Sequence, residues 1–258
     1  MIKVIVNGCC GKMGSVATSI LQNREKFKVV AGIDKNCSAG LYDFPVYAEF
    51  AECKEKADVV LDFSRPEALH SILEYALEHK ARVVLATTGY SQKQLALIKD
   101  ASKKIPVFTS PNMSLGVNLM FELVKQTARF FGNGFDIEII EKHHNQKVDS
   151  PSGTALALAG EINSVFDNEK DFVYGRKAVN QPRTQKEIGI HAVRGGTIVG
   201  EHQVIFAGQN EIFEITHKAH SRDVFGIGAV RAVEFIMEQP PGLYSMKDLV
   251  NQLITAHQ

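Results

Sequence analysis

The chain has 258 residues, 45% of them hydrophobic and 22% charged, enough to bury a real core in one large domain or two ordinary ones. Its 29 Lys and Arg balance 29 Asp and Glu, which argues against binding to nucleic acid or a membrane surface, since such affinity needs a positive excess. A local basic pocket for a small anionic ligand remains compatible with that balance.

The amino-terminal run Ile2-Lys3-Val4-Ile5-Val6 reads as a buried strand, rich in β-branched residues. It is too short, and too soon followed by glycines, to be a signal peptide. No run approaches the roughly 18 apolar residues of a membrane span, so a cytoplasmic protein is the expectation. Residues 12–23 read as a helix and residues 27–33 as a second strand. A strand over 59–63 leads to a helix opening at Pro66, with proline in its first turn. A strand over 83–86, a helix over 91–103 and a strand over 107–109 complete the first half. Strands alternating with helices imply βαβ units and a parallel sheet, with a ligand crevice at the carboxyl ends of the strands.

The pattern changes after Pro111-Asn112. A helix over 116–131 leads to a strand over 135–140, and a helix over 152–166 follows. Three β-like runs then span 188–193, 197–206 and 211–217. Gly195-Gly196 and Gly208-Gln209-Asn210 join them and read as two hairpins. That predicts a second domain with a mixed or antiparallel sheet. Residues 224–237 read as a last helix that packs back onto the first domain.

Cys9, Cys10, Cys37 and Cys53 form no C-x-x-C pair and have no histidine nearby at metal spacing. Adjacent Cys9 and Cys10 suit small packing residues better than a disulfide framework, so all four are read as filler, with a redox role as the lesser alternative.

Gly8-Cys9-Cys10-Gly11-Lys12-Met13-Gly14 puts glycines after a strand and at a helix start. Glycine lets backbone approach a pyrophosphate, and free N–H groups with the helix dipole hold the anion. Asp34 ends the second strand 20 residues past Gly14, where a carboxylate accepts hydrogen bonds from a ribose. The spacing is G-x-x-G-x-x-G, and the competing reading is a tight βα turn that needs glycine for packing alone. Lys35 beside Asp34 offsets repulsion of a 2′-phosphate, so both NADH and NADPH are expected to bind.

A second constellation is Glu141-Lys142-His143-His144-Asn145-Gln146-Lys147-Val148-Asp149-Ser150-Pro151-Ser152-Gly153-Thr154. Two histidines and a lysine in a loop suit proton transfer near neutrality. Ser152-Gly153-Thr154 at a helix start offers a hydroxyl and free N–H groups to an anion. Lys147 and that helix end would hold a carboxylate. The alternatives are surface imidazoles or a metal pair, and a plain helix cap. Metal ligation is disfavoured, because adjacent residues on extended chain point opposite ways and no third ligand is evident. Arg65, Ala86-Thr87-Thr88 and Ser110-Pro111-Asn112-Met113 lie just past predicted parallel strands, at the crevice rim. They would contact a cofactor or merely make turns.

These blocks together resemble the dihydrodipicolinate reductase family of the diaminopimelate route to lysine. The resemblance is most specific at Glu141-x-His143-His144-x-x-Lys147-Val148-Asp149-x-Pro151-Ser152-Gly153-Thr154-Ala155. It extends to Gly8-x-x-Gly11-x-Met13-Gly14, Asp62-Phe63-Ser64-Arg65-Pro66, Thr87-Thr88-Gly89, Asn112-x-Ser114-x-Gly116-Val117-Asn118, Val199-Gly200-Glu201-His202 and Ile215-Thr216-His217-Lys218-Ala219. The sequence departs from the pattern at Ala86, Ser110-Pro111 and Asn145-Gln146.

The resemblance implies a Rossmann-like cofactor domain, residues 1–114 and 223–258, and an α+β substrate and tetramerisation domain with a mixed sheet, residues 115–222. It implies NAD(P)H-dependent reduction of 4-hydroxy-tetrahydrodipicolinate, a cyclic imine with two carboxylates, with loss of water. His143 would be the proton donor and acceptor, and Lys147 a proton donor. His144, Lys147, Ser152, Gly153 and Thr154 would bind substrate. Gly8, Cys9, Cys10, Gly11, Lys12, Met13, Asp34, Lys35, Ala86, Thr87, Thr88, Ser110, Pro111, Asn112 and Met113 would bind the cofactor; Arg65 joins them from its place at a strand end. The chain would self-associate as a homotetramer and bind neither nucleic acid nor membrane. Competing readings are another two-domain dehydrogenase for a small dicarboxylate and a non-catalytic NADPH-binding regulator.

Overall fold

The structure, a computed structural model, describes residues 1–38, 40–177 and 180–256. The chain divides into two compact units, Met1–Leu115 with Arg222–Gln258, and Gly116–Ser221.

The first unit begins with β1 (Ile2–Asn7), α1 (Lys12–Gln22), β2 (Phe27–Ile33), β3 (Val46–Tyr47) and β4 (Val59–Asp62). A 3₁₀ turn over Pro66–Ala68 leads into α2 (Leu69–His79), then β5 (Arg82–Leu85), α3 (Gln92–Ser102) and β6 (Pro106–Thr109). Ser91 caps α3 and pairs reciprocally with Gln94, a capping box that fixes where this helix starts. In the second unit α4 (Leu115–Phe131) is followed by β7 (Asp136–His143), α5 (Gly153–Asn163), β8 (Asp171–Tyr174), β9 (Glu187–Arg194), β10 (Gly200–Ala207) and β11 (Ile212–Ala219). The chain then returns to the first unit through α6 (Asp223–Ile236), β12 (Gly242–Tyr244) and α7 (Met246–Thr255).

The first sheet runs β12-β6-β5-β4-β1-β2-β3 with every pairing parallel. Strand order reverses between β1 and β4, and at such a switch point the loops leave in opposite directions and open a crevice. One face of the sheet packs against Ala17 and Leu21 of α1, Ala229, Val230 and Val233 of α6, and Leu249 of α7. The other face packs against Leu69, Ile72 and Ala76 of α2 and Ile98 and Ala101 of α3. Both faces are covered, which is why these strands read as continuous apolar runs.

The second sheet runs β11-β10-β7-β9-β8, with β7, β8 and β9 mutually parallel and β10 antiparallel to both of its neighbours. Its inner face, Ile137, Ile139, Ile188, Ile190, Val204 and Phe206, buries against Met120, Val124 and Ala128 of α4 and Leu158, Ala159 and Ile162 of α5.

The structure departs from two expectations. Gly195-Gly196 is not a hairpin, because β7 lies between β9 and β10. The glycines instead cross the carboxyl end of β7, where the Gly195 N–H donates to the His143 carbonyl and the Asn145 N–H to the Gly196 carbonyl. The second hairpin, at Gly208, does join the antiparallel pair β10 and β11. The other correction concerns cysteine: Cys10 and Cys37 form a disulfide across 27 positions of sequence. β1 and β2 are paired neighbours with Asn7 opposite Ile33, so the loops that follow them meet. Spacing along the chain does not reveal that meeting. Cys9 and Cys53 are free thiols, Cys9 fully buried in the core.

Candidate active site

The alternation of β7 organises the second unit. Ile137 and Ile139 face the helices, and the same parity carries Glu141 and His143 onto that face, where both are buried. His143 is therefore part of the strand, not of the loop predicted for the cluster. Register then selects the neighbours. Arg194 of β9 pairs with His143, and His202 of β10 pairs with Glu141.

Glu141 has no solvent exposure, and its carboxylate is saturated by four donors. Oε2 lies 2.6 Å from His143 Nδ1 and 2.7 Å from Arg194 Nη1. Oε1 accepts Arg194 Nη2 at 2.7 Å and the Ser152 N–H at 3.0 Å. Burial works against its ionisation, but the hydrogen bonds from Arg194, His143 and Ser152 outweigh it and hold the carboxyl below its ordinary range. The His143 imidazole is pulled below its usual value by burial, against the opposing pull of Glu141. With Nδ1 committed to Glu141, Nε2 is the nitrogen left for proton exchange. A Cβ at Gly200 would stand 3.0 Å from that Nε2, so the glycine keeps room for the ring.

The loop after β7 carries Lys147 and Asp149, paired at 2.8 Å. The Lys147 contact holds Asp149 below the ordinary carboxyl range, helped by a hydrogen bond from the Gly153 backbone. Arg194 Nη2 also donates to the Asp149 carbonyl at 2.7 Å, tying the loop to β9. At the start of α5, Ser152 Oγ accepts the Ala155 N–H and lies 3.0 Å from His202 Nε2. The helix start predicted to hold an anion thus already serves carboxylates of the chain, Glu141 at Ser152 and Asp149 at Gly153. His144 is half-buried, and its Nδ1 has no hydrogen-bond partner among the described residues.

In the first unit a cleft of about 1190 Å³ lies at the switch point, lined among others by Gly8, Cys10, Gly11, Asp34, Lys35 and Arg65. Gly8 has φ +77°, and a Cβ there would meet the Phe63 carbonyl oxygen at 2.7 Å. A Cβ at Gly14 would stand 1.9 Å from the Gly8 carbonyl oxygen. Both glycines are therefore demanded by the close turn and by the approach of α1 to it. Gly11 caps α1 without a side-chain bond, leaving backbone donors at the helix start. Asp34 accepts the Cys10 N–H and the Asn36 N–H, each at 3.0 Å, so the carboxylate is held at the cleft. A dinucleotide fits these features: a bare helix start for its pyrophosphate and a fixed carboxylate for its ribose.

The remaining candidates are placed differently. Cys9 and Met113 point into the core. Lys12 and Met13 open α1. Ala86-Thr87-Thr88 and Ser110-Pro111-Asn112 follow β5 and β6 and do not line this cleft.

Family models for the amino-terminal and carboxyl-terminal parts of dihydrodipicolinate reductase match residues 2–113 and 116–250. The chain belongs to the dihydrodipicolinate reductase family. It is 53% identical over 252 residues to the 4-hydroxy-tetrahydrodipicolinate reductase of Caldanaerobacter subterraneus, covering 98% of this chain and 99% of that one. It is 49% identical to the enzyme of the same name from Clostridium tetani, covering 97% and 98%. The dipicolinate-bound dihydrodipicolinate reductase of a Paenisporosarcina species superposes with a TM-score of 0.81 at 29% identity, covering 96% of this chain and 99% of that one. As a member of this family the chain is an NAD(P)H-dependent oxidoreductase of the reduction step in lysine biosynthesis through diaminopimelate.

Sequence reasoning assigned no role in this reductase to Glu141, Asp149, Arg194 or His202. For Glu141 a signal existed. Apolar alternation at Ile137 and Ile139 continues into a carboxylate and an imidazole at 141 and 143, on a face that must be buried. Arg194 and His202 reach the site through strand register, which one sequence does not display.

Proposed function

We propose that the second unit binds 4-hydroxy-tetrahydrodipicolinate and that His143 and Lys147 manage its protons while it is reduced and loses water. The observation that carries this reading is the buried Glu141–His143 pair, with Arg194 closing the carboxylate and Lys147 on the adjoining loop. Bound NADH or NADPH supplies the hydride. Reduction of the conjugated imine builds negative charge toward the ring nitrogen, and a proton-donating group there lowers the barrier. His143 exchanges that proton at Nε2, with Glu141 holding Nδ1. Lys147, His144, Gly153 and Thr154 take the substrate carboxylates, as anions favour a helix start and a cation, with Ser152 helping by capping that helix start.

For this chain we also take Asp34 as the partner of the ribose hydroxyls and Lys35 as a counter-charge for a 2′-phosphate, so both coenzymes are accepted. Lys35 is exposed and pairs with Glu49 at 2.9 Å, a contact that a phosphate would replace. Homotetramer assembly and a cytoplasmic location complete the proposal. Self-association is supported by β11, which exposes Ile212 and Phe213 at the edge of the second sheet.

The test is oxidation of NADH and of NADPH with substrate freshly made from pyruvate and aspartate semialdehyde. His143→Ala is expected to lower kcat by about 10²- to 10⁴-fold, the range for a positioned proton-transfer group, with NADH affinity unchanged. Lys147→Ala is expected to lower kcat and raise the KM for substrate. Near-normal turnover in either variant contradicts the assignment.

A further inference from the structure

We propose that Cys10 and Cys37 are a reversible thiol–disulfide couple at the rim of the dinucleotide cleft, exchanging with low-molecular-weight disulfides and thiols, and that the oxidised form binds the coenzyme more tightly. The inference rests on the cofactor reading of that cleft.

Three observations combine. Cys10 lines the cleft, and its own N–H donates to Asp34, the carboxylate assigned to the ribose. Cys37 lies on the loop that carries Asp34, Lys35 and Asn36, and the Asn36 N–H holds the other Asp34 oxygen. The disulfide therefore ties the glycine turn to the ribose-side loop across 27 positions of sequence. The cleft is open with the bond formed, so oxidation does not block it. Both bonded cysteines are partly exposed and within reach of a small thiol.

Direction follows from ordering. With the bond broken, the loop after β2 gains freedom that binding must then remove. A covalent tie made beforehand lowers that cost. The step balances as two protein thiols plus one small disulfide giving one protein disulfide plus two small thiols. Two electrons and two protons pass from Cys10 and Cys37 to the oxidant. Cys9 stands 3.7 Å from Cys10 Sγ yet does not compete. It has no exposure, and burial together with the Asp34 charge pushes its thiol up to about 11. Near neutrality it presents almost no thiolate to attack the bond.

The full-length protein is equilibrated in buffers of reduced and oxidised glutathione at varied ratio. At each ratio, trapped thiols are counted by intact mass after unfolding and alkylation, and the NADH Kd is read by fluorescence. Two thiols are expected to react on the oxidised side and four on the reduced side, with a crosslinked peptide joining residues 10 and 37. The Kd is expected to be about threefold to tenfold lower in the oxidised form, the scale of ordering a few side chains. Cys37→Ser is expected to hold the reduced-form Kd at every ratio. Four reactive thiols throughout, or a crosslink that includes Cys9 or Cys53, refutes the couple. Equal Kd in both states refutes its control of binding. Loss of NADH binding at all ratios strikes the cofactor reading, while the thiol count still reads the couple.

Discussion

Glu141 Oε2 and His143 Nδ1 lie 2.6 Å apart on the core-facing side of one strand. The carboxylate is neutralised by Arg194 but not consumed by it, because each oxygen accepts two donors. It therefore does two things for the imidazole. It fixes which nitrogen is free, and it raises the affinity of the ring for a proton against the effect of burial.

Glu141→Gln separates these effects. The amide keeps the size and one acceptor but loses the charge. Without the raising influence, the already lowered His143 titrates still lower. The protonated ring is the proton-donating form, so the limb of kcat/KM that falls with rising pH moves to lower pH. At neutral pH kcat is expected to drop about 10- to 100-fold, part of what a positioned acid contributes, with the NADH Kd unchanged. A merely structural role would lower stability and leave the pH profile where it was.

Asp149 sits, from within the chain, where the proposed function puts a substrate carboxylate. It faces Lys147 at 2.8 Å and takes the Gly153 backbone hydrogen bond, yet its side chain is 58% exposed and free to leave. Glu141, with no exposure, is not displaceable. Asp149→Asn removes the competing charge and its repulsion of a dianion. The KM for substrate is expected to fall about twofold to fivefold, the worth of an exposed ion pair of up to about 1 kcal/mol. The gain is expected to shrink in high salt. A raised KM would show instead that Asp149 positions Lys147 for the substrate.

His202 makes the second unit acid-sensitive. Burial, and then the neighbouring His143, push it down to about 4 from an ordinary value near 6.5. Between those values the unfolded chain binds a proton that the folded chain refuses. Stability is therefore complete above about 6.5 and is lost as pH falls through 4. His143 and His217 are also lowered by burial and act in the same direction. The His202 contribution approaches about 3 kcal/mol at full protonation. In a domain of this size each kcal/mol moves Tm by about 4–8 °C. His202→Gln keeps a polar partner for Ser152 and is expected to flatten the fall of Tm between pH 6.5 and 4.5. An unchanged slope would assign the acid limb to other groups.

Most of the architecture was legible because it rests on local patterns. The strand over Phe27–Ile33 has the predicted bounds, and α1, α3, α4 and α6 begin and end within a residue or two of theirs. β3 and β12 are two and three residues long and carry no periodicity to read. The candidate site was legible as a contiguous cluster, from Glu141 to Thr154, though not the parts that Glu141 and Asp149 play in it. It was hidden where pairing supplies the partner. His202 is 61 positions from Glu141, and only the antiparallel register of β7 and β10 makes them neighbours. The false hairpin at Gly195-Gly196 and the missed Cys10–Cys37 bond have the same origin. Each depends on which strand lies beside which, and a single chain read in order does not carry that.

Two glycines in helices give opposite expectations and so test the close turn directly. Gly14 sits in the first turn of α1, where an added Cβ would stand 1.9 Å from the Gly8 carbonyl oxygen and 2.7 Å from its carbon. Both obstructing atoms are backbone and cannot rotate aside. The same Gly8 carbonyl accepts the Gly11 N–H at 3.0 Å, so moving it breaks the turn. Gly14→Ala is expected to cost about 3 kcal/mol or more in stability, at the upper end of overpacking. It is also expected to raise the NADH Kd at least tenfold by displacing the turn. Gly160 lies inside α5 with nothing within 4 Å of its Cβ position. Gly160→Ala is expected to stabilise by about 0.5–1 kcal/mol through helix propensity alone, without touching coenzyme affinity. Chemical denaturation and NADH titration of both variants decide the matter. If Gly14→Ala proves as harmless as Gly160→Ala, the turn is not held as tightly as its backbone contacts require.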